Sequence, residues 1–420
     1  MADVSLVLRY RRTAKGGLDA LVGALEIHPD LGDVPVHLGR TPEELLAATR
    51  RVLAEGRRPV VLWSFLSPGF AEACDELAAF RAAIPAGPLH VAGGVHASAE
   101  PELTLGAGFD LAAIGEGERI VQDLVLALRR GDDGTGVRGI ARLDGGRLVK
   151  NGRGEAVDLD AFPSFAPRHR RFGPIEITRG CVYACRFCQT PYMAKARFRH
   201  RSVASACEHA RWLRAAGLRD VRVLTPTALS YGATGGEVRL DAVDELLGRL
   251  RETVGADGRL FFGTFPSELR PEHVSAEALA VLKRWVDNDN LIVGGQSGSD
   301  RLLAETHRGH DAEAVERAVR LCVEGGFLPQ VDFLFGLPGE TLDDAAATRA
   351  LMARLAPLGA RVHAHTFLPL PGTPLAAAGA GEVDGDTLLA LERLASAGRA
   401  YGQWKRQAEF ARRLAGDERD

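Results

Sequence analysis

The chain of 420 residues is 46% hydrophobic and 25% charged, the balance of an ordinary soluble globular protein, and is long enough for two or three domains with sizeable cores. A formal net charge of −3 argues against a general nucleic-acid or membrane surface. The six cysteines suggest no disulfide framework, no apolar leader opens the chain, and the longest apolar run, 59–66, is too short to span a bilayer; the expectation is a cytoplasmic protein.

Residues 1–135 alternate short apolar runs with amphipathic patterns. Strands are predicted at 4–10, 34–38, 59–64, 89–92 and 110–114, apolar on both faces as buried parallel strands are. Helices lie between them; one opens at Thr41-Pro42-Glu43-Glu44, a capping box with proline at the first helical position. This order predicts a doubly wound, Rossmann-like parallel sheet whose ligand sits outside the carboxyl ends of the strands. Two glycine loops leave those ends, Gly93-Gly94 with His96 close behind, and Gly115-Glu116-Gly117. Neither is the G-x-G-x-x-G of a dinucleotide site, and turn chemistry alone would account for either. Residues 136–173 read as a hairpin around Asp144-Gly145-Gly146 and a polar, proline-bearing linker, with the basic run 168–171 taken as a solvated surface.

A strand-like run at 174–178 then leads into Arg179-Gly180-Cys181-Val182-Tyr183-Ala184-Cys185-Arg186-Phe187-Cys188. Cys181, Cys185 and Cys188 stand at C-x₃-C-x₂-C spacing on one tight loop. Three soft thiolates can hold three corners of an iron–sulfur cube and leave one iron open. A closed zinc site would need a fourth ligand, and His200, in the basic run 195–201, is poorly placed to be one. The remaining thiols, Cys74, Cys207 and Cys322, fall on helical patterns and read as single buried residues.

Further strands are predicted at 220–224, 260–264, 290–293, 330–335 and 361–367, with helices between them. Counted with 174–178 they make six βα units over residues 174–375, a partial (β/α)6 barrel with its site at the strand C-terminal ends. Gln296 follows one strand, Arg308 precedes the next helix, and Asp332 lies within another strand. The tail, 376–420, reads as a short helical segment holding Tyr401 and Trp404.

The cysteine loop resembles that of the radical SAM enzymes, named for S-adenosylmethionine (SAM). The resemblance implies a 4Fe-4S cluster on Cys181, Cys185 and Cys188 whose open iron chelates SAM, and reductive cleavage of SAM to a 5′-deoxyadenosyl radical. Gly295–Asp300, Arg308 and the Gly336–Thr341 loop are similar to stretches of oxygen-independent coproporphyrinogen oxidases and methylthiotransferases. By that likeness Gln296 and Asp332 would hold the SAM ribose, Arg308 the carboxylate, and Phe187 would lie near the adenine. The Gly-Gly-Glu stretch of the family is missing, leaving Thr225 or Ser267 near the SAM amino group.

The glycine loops upstream look like the N-terminal cobalamin-binding domain of class B radical SAM proteins. That likeness implies cobalamin held by Gly93, Gly94, Gly115, Glu116 and Gly117. The D-x-H-x-x-G motif is absent, so no histidine from that motif is expected on cobalt, and His96 is read as a loop histidine bonding backbone.

The implied activity is methylation of an unactivated carbon of a small-molecule or peptide substrate, fed by a one-electron reductant such as flavodoxin or ferredoxin, with no nucleic acid or membrane partner. A cyclase or rearrangement enzyme fits the sequence equally well. A methylthiotransferase would need a second cluster, and only Cys74 precedes the main loop. A corrinoid or redox sensor is a further alternative.

Overall fold

The computed structural model describes residues 3–416 and divides into two compact units, Met1–Gly173 and Pro174–Asp420.

The first unit is built on one seven-stranded sheet: β1 (Val4–Arg9), β2 (Val36–Gly39), β3 (Arg58–Ser64), β4 (Leu89–Gly93), β5 (Leu111–Ala113), β6 (Ile140–Asp144) and β7 (Arg147–Lys150). The order is β2-β1-β3-β4-β5-β6-β7, parallel through β5 and antiparallel beyond it. Every residue of β1 is buried, because helices cover both faces of the sheet. Leu18, Leu25, Leu124 and Leu128 fill one side, and Leu45, Val52, Leu77 and Phe80 the other. Each such buried apolar side chain contributes about 2 kcal/mol.

Thr41 caps the helix Pro42–Ala54 by accepting the Glu44 N–H at 3.2 Å; the Glu44 carboxylate reaches back to the Arg40 N–H at 2.8 Å, one residue ahead of the cap. Segment 136–173, read from sequence as a hairpin and linker, packs as part of this unit. The hairpin extends the sheet through β5–β6 pairing, and the Gly154 N–H bonds the Ile114 carbonyl at 2.7 Å, so the bare edge of β5 is paired rather than left to solvent.

The second unit arranges its strands as two arcs. β8 (Ile175–Glu176), β11 (Asp220–Leu224) and β12 (Arg259–Phe261) run parallel, and a ribbon of β9 (Thr178–Arg179) with β10 (Arg199–His200) leaves beside them. The other arc is β13 (Asn290–Gln296), β14 (Leu328–Phe335), β15 (Arg361–Thr366) and β16 (Ala400–Gly402), all parallel. A parallel bridge between Leu269 and Val293 links the arcs, continued by the Gly294 N–H on the Leu269 carbonyl at 3.0 Å. The result is an open, partial barrel with helices outside it.

Two sequence expectations change here. The tail is helix, strand, helix: Gly385–Ser396, β16 and Trp404–Ala415. Gly398 (φ +69°) and Gly402 (φ +138°) break the helical run, and Gly402 lies so close to the Ala364 backbone carbonyl that no side chain fits. Within the basic run 195–201, read as a solvated loop, Arg201 is only 1% exposed. Its Nε donates to the Glu176 carbonyl at 2.8 Å and its Nη1 to Ser205 Oγ at 3.0 Å, so this guanidinium fastens the end of β8. Of the lone thiols, Cys207 and Cys322 are buried and Cys74 is half-buried.

Candidate functional site

The cysteine loop leaves the ribbon strand β9 at the C-terminal mouth of the barrel. Gly180 takes φ +86°, and a Cβ there would collide with the Arg197 carbonyl. Ala184, between the first two cysteines, takes φ +52°, a left-handed backbone that non-glycine residues seldom adopt. Neighbouring segments hold the loop in this shape. The Arg186 N–H donates to the Thr306 carbonyl at 3.1 Å, Tyr192 Oη to the Ala184 carbonyl at 3.0 Å, and Gln189 Nε2 to the Pro371 carbonyl at 2.8 Å.

Cys181, Cys185 and Cys188 all line one cavity of about 360 Å³. Burial pushes the Cys181 thiol up to about 11 and raises that of Cys188, so these two thiols stay protonated without metal and would be ionised by a bound cation. Three thiols facing one cavity, with no fourth cysteine lining it, fit an iron–sulfur cube with an open corner.

The structure brings Phe187, Gln296, Arg308 and Asp332 into the same cavity. Gln296 ends β13 at a bulge, with φ +71° and 9% exposure; a strained, buried backbone turns its amide toward the cavity. Arg308 donates Nη2 to the Gly294 carbonyl at 2.6 Å and Nη1 to Cys185 Sγ at 3.4 Å. Phe187 packs with Leu302, Leu337 and Phe367. From the loop after β15, Phe367, Leu368 and Leu370 add an apolar wall.

Residues that sequence reasoning passed over also line it, among them Thr227, Glu268, Arg270, His365 and Gln407. Thr225 and Ser267, the expected neighbours of an amino group, are not among them. Thr225 Oγ1 is spent on the Thr227 carbonyl at 3.1 Å, and Ser267 Oγ accepts the Gly263 N–H at 2.9 Å. Glu268, next in sequence to Ser267, turns its carboxylate into the cavity instead. Its side chain is open to the cavity and ringed by protein. That enclosure, followed by the Asp332 charge and against the pull of Arg308, pushes its pKa up to about 7.

Asp332, His363 and His365 converge on adjacent strands, where Asp332 and His363 are register partners. His363 Nδ1 lies 2.8 Å from Asp332 Oδ1 and 3.1 Å from His365 Nε2. Such a cluster could ligate a cation through Asp332 and His363; His363 Nδ1 cannot both donate to Asp332 and accept from His365. Gln407 Oε1 accepts the Thr366 N–H at 3.0 Å, so its Nε2 donates to His365 Nδ1 at 3.2 Å and the proton of neutral His365 sits on Nε2. That nitrogen then has no free lone pair for a metal.

In the first unit the strand C-terminal ends carry both glycine loops. Gly94 takes φ +93°, and a Cβ there would lie 3.1 Å from both Ser64 Oγ and the Phe65 carbonyl. Ser98 Oγ accepts the Gly115 N–H at 3.0 Å and ties the two loops together. Gly115 and Gly117 have reasons internal to the chain. A Cβ on Gly115 would meet Arg153 and Gly154 at 3.0 to 3.1 Å, and one on Gly117 would meet Leu21 at 2.7 Å. Glu116 accepts the Val157 N–H at 3.0 Å. Gly93 and Gly94 stay at the open end, the end where Leu66, in the loop after β3, is 48% exposed. His96 is buried, stacked on Phe70 at 4.2 Å with Nδ1 on Ser67 Oγ at 3.1 Å.

Residues 175–352 match the model of the radical SAM superfamily. This segment is a radical SAM domain. The chain is similar to tRNA-2-methylthio-N(6)-dimethylallyladenosine synthase of Halorhodospira halophila, 31% identical over 260 residues, 58% of this chain and 52% of that protein. It thus spans about half the length of the curated relatives it matches. The structure of the radical S-adenosylmethionine methyltransferase TsrM from Kitasatospora setae, solved with cobalamin and a 4Fe-4S cluster bound, matches with TM-score 0.69 at 21% identity, over 90% of this chain and 74% of that one. The cobalamin-dependent S-adenosylmethionine radical enzyme OxsB, solved with aqua-cobalamin bound, matches with TM-score 0.64 at 18% identity, over 83% of this chain and 51% of that one. Both likenesses show the fold, a doubly wound domain followed by a radical SAM barrel. Among the described residues no helix is long and apolar enough to cross a membrane.

Proposed function

We propose that the protein is a cobalamin-dependent radical SAM methyltransferase acting on a small-molecule or peptide substrate. The observation that carries this reading is the single cavity that joins three cysteines to Arg308, Gln296, Asp332 and Glu268 at the barrel mouth. When bound, the 4Fe-4S cluster supplies the electron that cleaves SAM to a 5′-deoxyadenosyl radical, and cobalamin supplies a methyl carrier; a one-electron reductant such as flavodoxin or ferredoxin feeds the centre.

The chain's own residues divide the remaining work. Cys181, Cys185 and Cys188 hold the cluster. Arg308 already presents its guanidinium toward Cys185 and would pair with the carboxylate of SAM. Glu268 is the carboxylate placed to meet the SAM ammonium, the role for which sequence offered only hydroxyls. Gln296 and Asp332 would take the ribose hydroxyls, and Phe187 would pack near the adenine. The Phe367–Leu370 wall limits water around a reactive centre. In the first unit the bare backbone at Gly93–Gly94 and the exposed Leu66 suit the broad, largely apolar face of a corrin, while Gly115, Glu116 and Gly117 shape the loop behind it. No histidine is needed on cobalt in this reading, and His96 is turned inward.

Methylthio transfer, named for the curated relatives, is the less favoured reading. The first 173 residues hold one cysteine, Cys74, too few for a second cluster.

The test is anaerobic purification with cluster reconstitution, iron and corrinoid analysis, then incubation with SAM and a low-potential reductant. The expected result is four irons and one corrinoid per chain, with 5′-deoxyadenosine and S-adenosylhomocysteine as products. A chain that takes up four irons but never turns over SAM would refute the enzymatic reading. 5′-Deoxyadenosine without S-adenosylhomocysteine would refute methyl transfer and favour a cyclase or rearrangement.

A further inference from the structure

Cys185 is the most buried of the three loop cysteines, and its sulfur faces two guanidiniums. Arg308 Nη1 lies 3.4 Å from it and Arg270 Nη1 3.9 Å. Cys181 and Cys188 have milder company: a backbone N–H at Tyr183 with a weaker pull from Arg270, and the hydroxyl and N–H of Thr190. The site is therefore electrically lopsided, with its positive charge gathered at one corner.

The two arginines are anchored differently. Arg308 is held by the Gly294 carbonyl at 2.6 Å, with His310 Nε2 3.3 Å from its Nε, and it lines the cavity where a carboxylate would arrive. Arg270 is 5% exposed and fixed on every side. Its Nε meets Glu272 Oε1 at 2.5 Å, its Nη2 meets the Arg308 carbonyl, and its plane lies 3.7 Å from the centre of the Tyr183 ring. Tyr183 is itself held through its hydroxyl by His273 Nε2 at 2.8 Å and the Gly236 carbonyl at 3.2 Å. A guanidinium held through Nε and Nη2 and stacked on a ring cannot follow a ligand.

We infer that Arg270 is a positioning residue that sets the reduction potential of the iron–sulfur centre through the Cys185 sulfur. The inference rests on the proposed cluster assignment. A fixed positive charge and donor beside a thiolate ligand withdraws electron density from it and stabilises the reduced centre, which raises the potential. Arg308 adds to this while it faces Cys185, and its share is drawn off when a carboxylate ligand pairs with it. Arg270 supplies the part that stays.

The experiment is a reductive titration of the reconstituted full chain, followed by electron paramagnetic resonance, with iron content measured on the same samples. The expected result is that Arg270→Gln keeps its iron and its reduction midpoint moves to a more negative potential. Arg270→Lys, which keeps the charge without the fork, should fall between Arg270→Gln and the native chain. An unchanged midpoint in fully loaded Arg270→Gln overturns the inference. Equal loss of iron in both variants also overturns it, since Arg270 would then hold the loop rather than tune the centre. A native chain that takes up no four-iron centre refutes the cluster assignment itself and the inference with it.

Discussion

Replacing Asp344 by alanine should destabilise the second unit and loosen the Gln296 loop together. Asp344 lies in the first turn of the helix Leu342–Leu355, where Thr341 and Asp344 form a reciprocal capping box. Its carboxylate also accepts Ser299 Oγ–H at 2.5 Å and pairs with Arg301. Ser299 ends the loop that begins at Gln296, and Ser297 and Gly298 of that loop bond Thr348 one turn further along the same helix, at 3.2 and 3.0 Å. Losing a charge-assisted hydrogen bond in a buried site costs about 2 kcal/mol. Losing the cap costs about 1 kcal/mol, and the half-exposed Arg301 pair adds little. The expected loss is about 3 kcal/mol, read at pH 7 from urea midpoints of the cluster-free protein. SAM-analogue binding should weaken in step.

Burial alone would raise the Asp344 pKa, but Arg301, then Ser299 and Thr341, hold it well below the usual carboxylate range. Its stabilisation is thus complete above the unfolded-state pKa of about 4 and is lost on further acidification. The gap between native and variant should close below that pH. A destabilisation under about 1 kcal/mol, or a gap that persists through the acid range, would refute the reasoning.

Gly180→Ala should abolish iron uptake while the first unit stays folded, because a side chain at Gly180 collides with the Arg197 carbonyl and φ +86° strains any L-residue. Iron content beside far-ultraviolet circular dichroism checks it, and full iron content in the variant would refute it. A folded-state pKa near 7 for Glu268 means that its proton is released when an ammonium ligand arrives. Affinity for S-adenosylhomocysteine should therefore rise as pH climbs toward about 7 and then level off, and Glu268→Gln should bind weakly with no such rise. In the absence of ligand the sign reverses: the raised pKa favours the folded state below the unfolded value and that contribution fades as pH rises through about 7. Calorimetric titration across that range checks the ligand effect, and a flat native profile would remove Glu268 from the ammonium's partners.

Much of this molecule was legible as a string. The cysteine spacing, the alternation of buried strands with amphipathic helices, and the Thr41 cap are local signals, set by chain periodicity and by a hydroxyl three residues from an N–H. Gln296, Arg308 and Asp332 are dispersed over 37 positions, and it was resemblance that singled them out. Tertiary structure decided the rest. Glu268 had no distinguishing neighbour in sequence; only the bridge that links the two arcs turns it into the cavity while Ser267 is spent on backbone. Arg201 looked like one more charge in a basic run until the end of β8 supplied a carbonyl for it. Tyr401 became a strand residue because glycines on either side broke the helix and β15 offered an open edge. Gly115 and Gly117 look alike to an eye searching for ligand loops, yet each answers to a neighbour more than thirty residues away. Periodicity is written in the chain because it depends on adjacent residues. Which polar group faces a cavity depends on what distant segments leave unpaired, and that is settled only when the strands close around it.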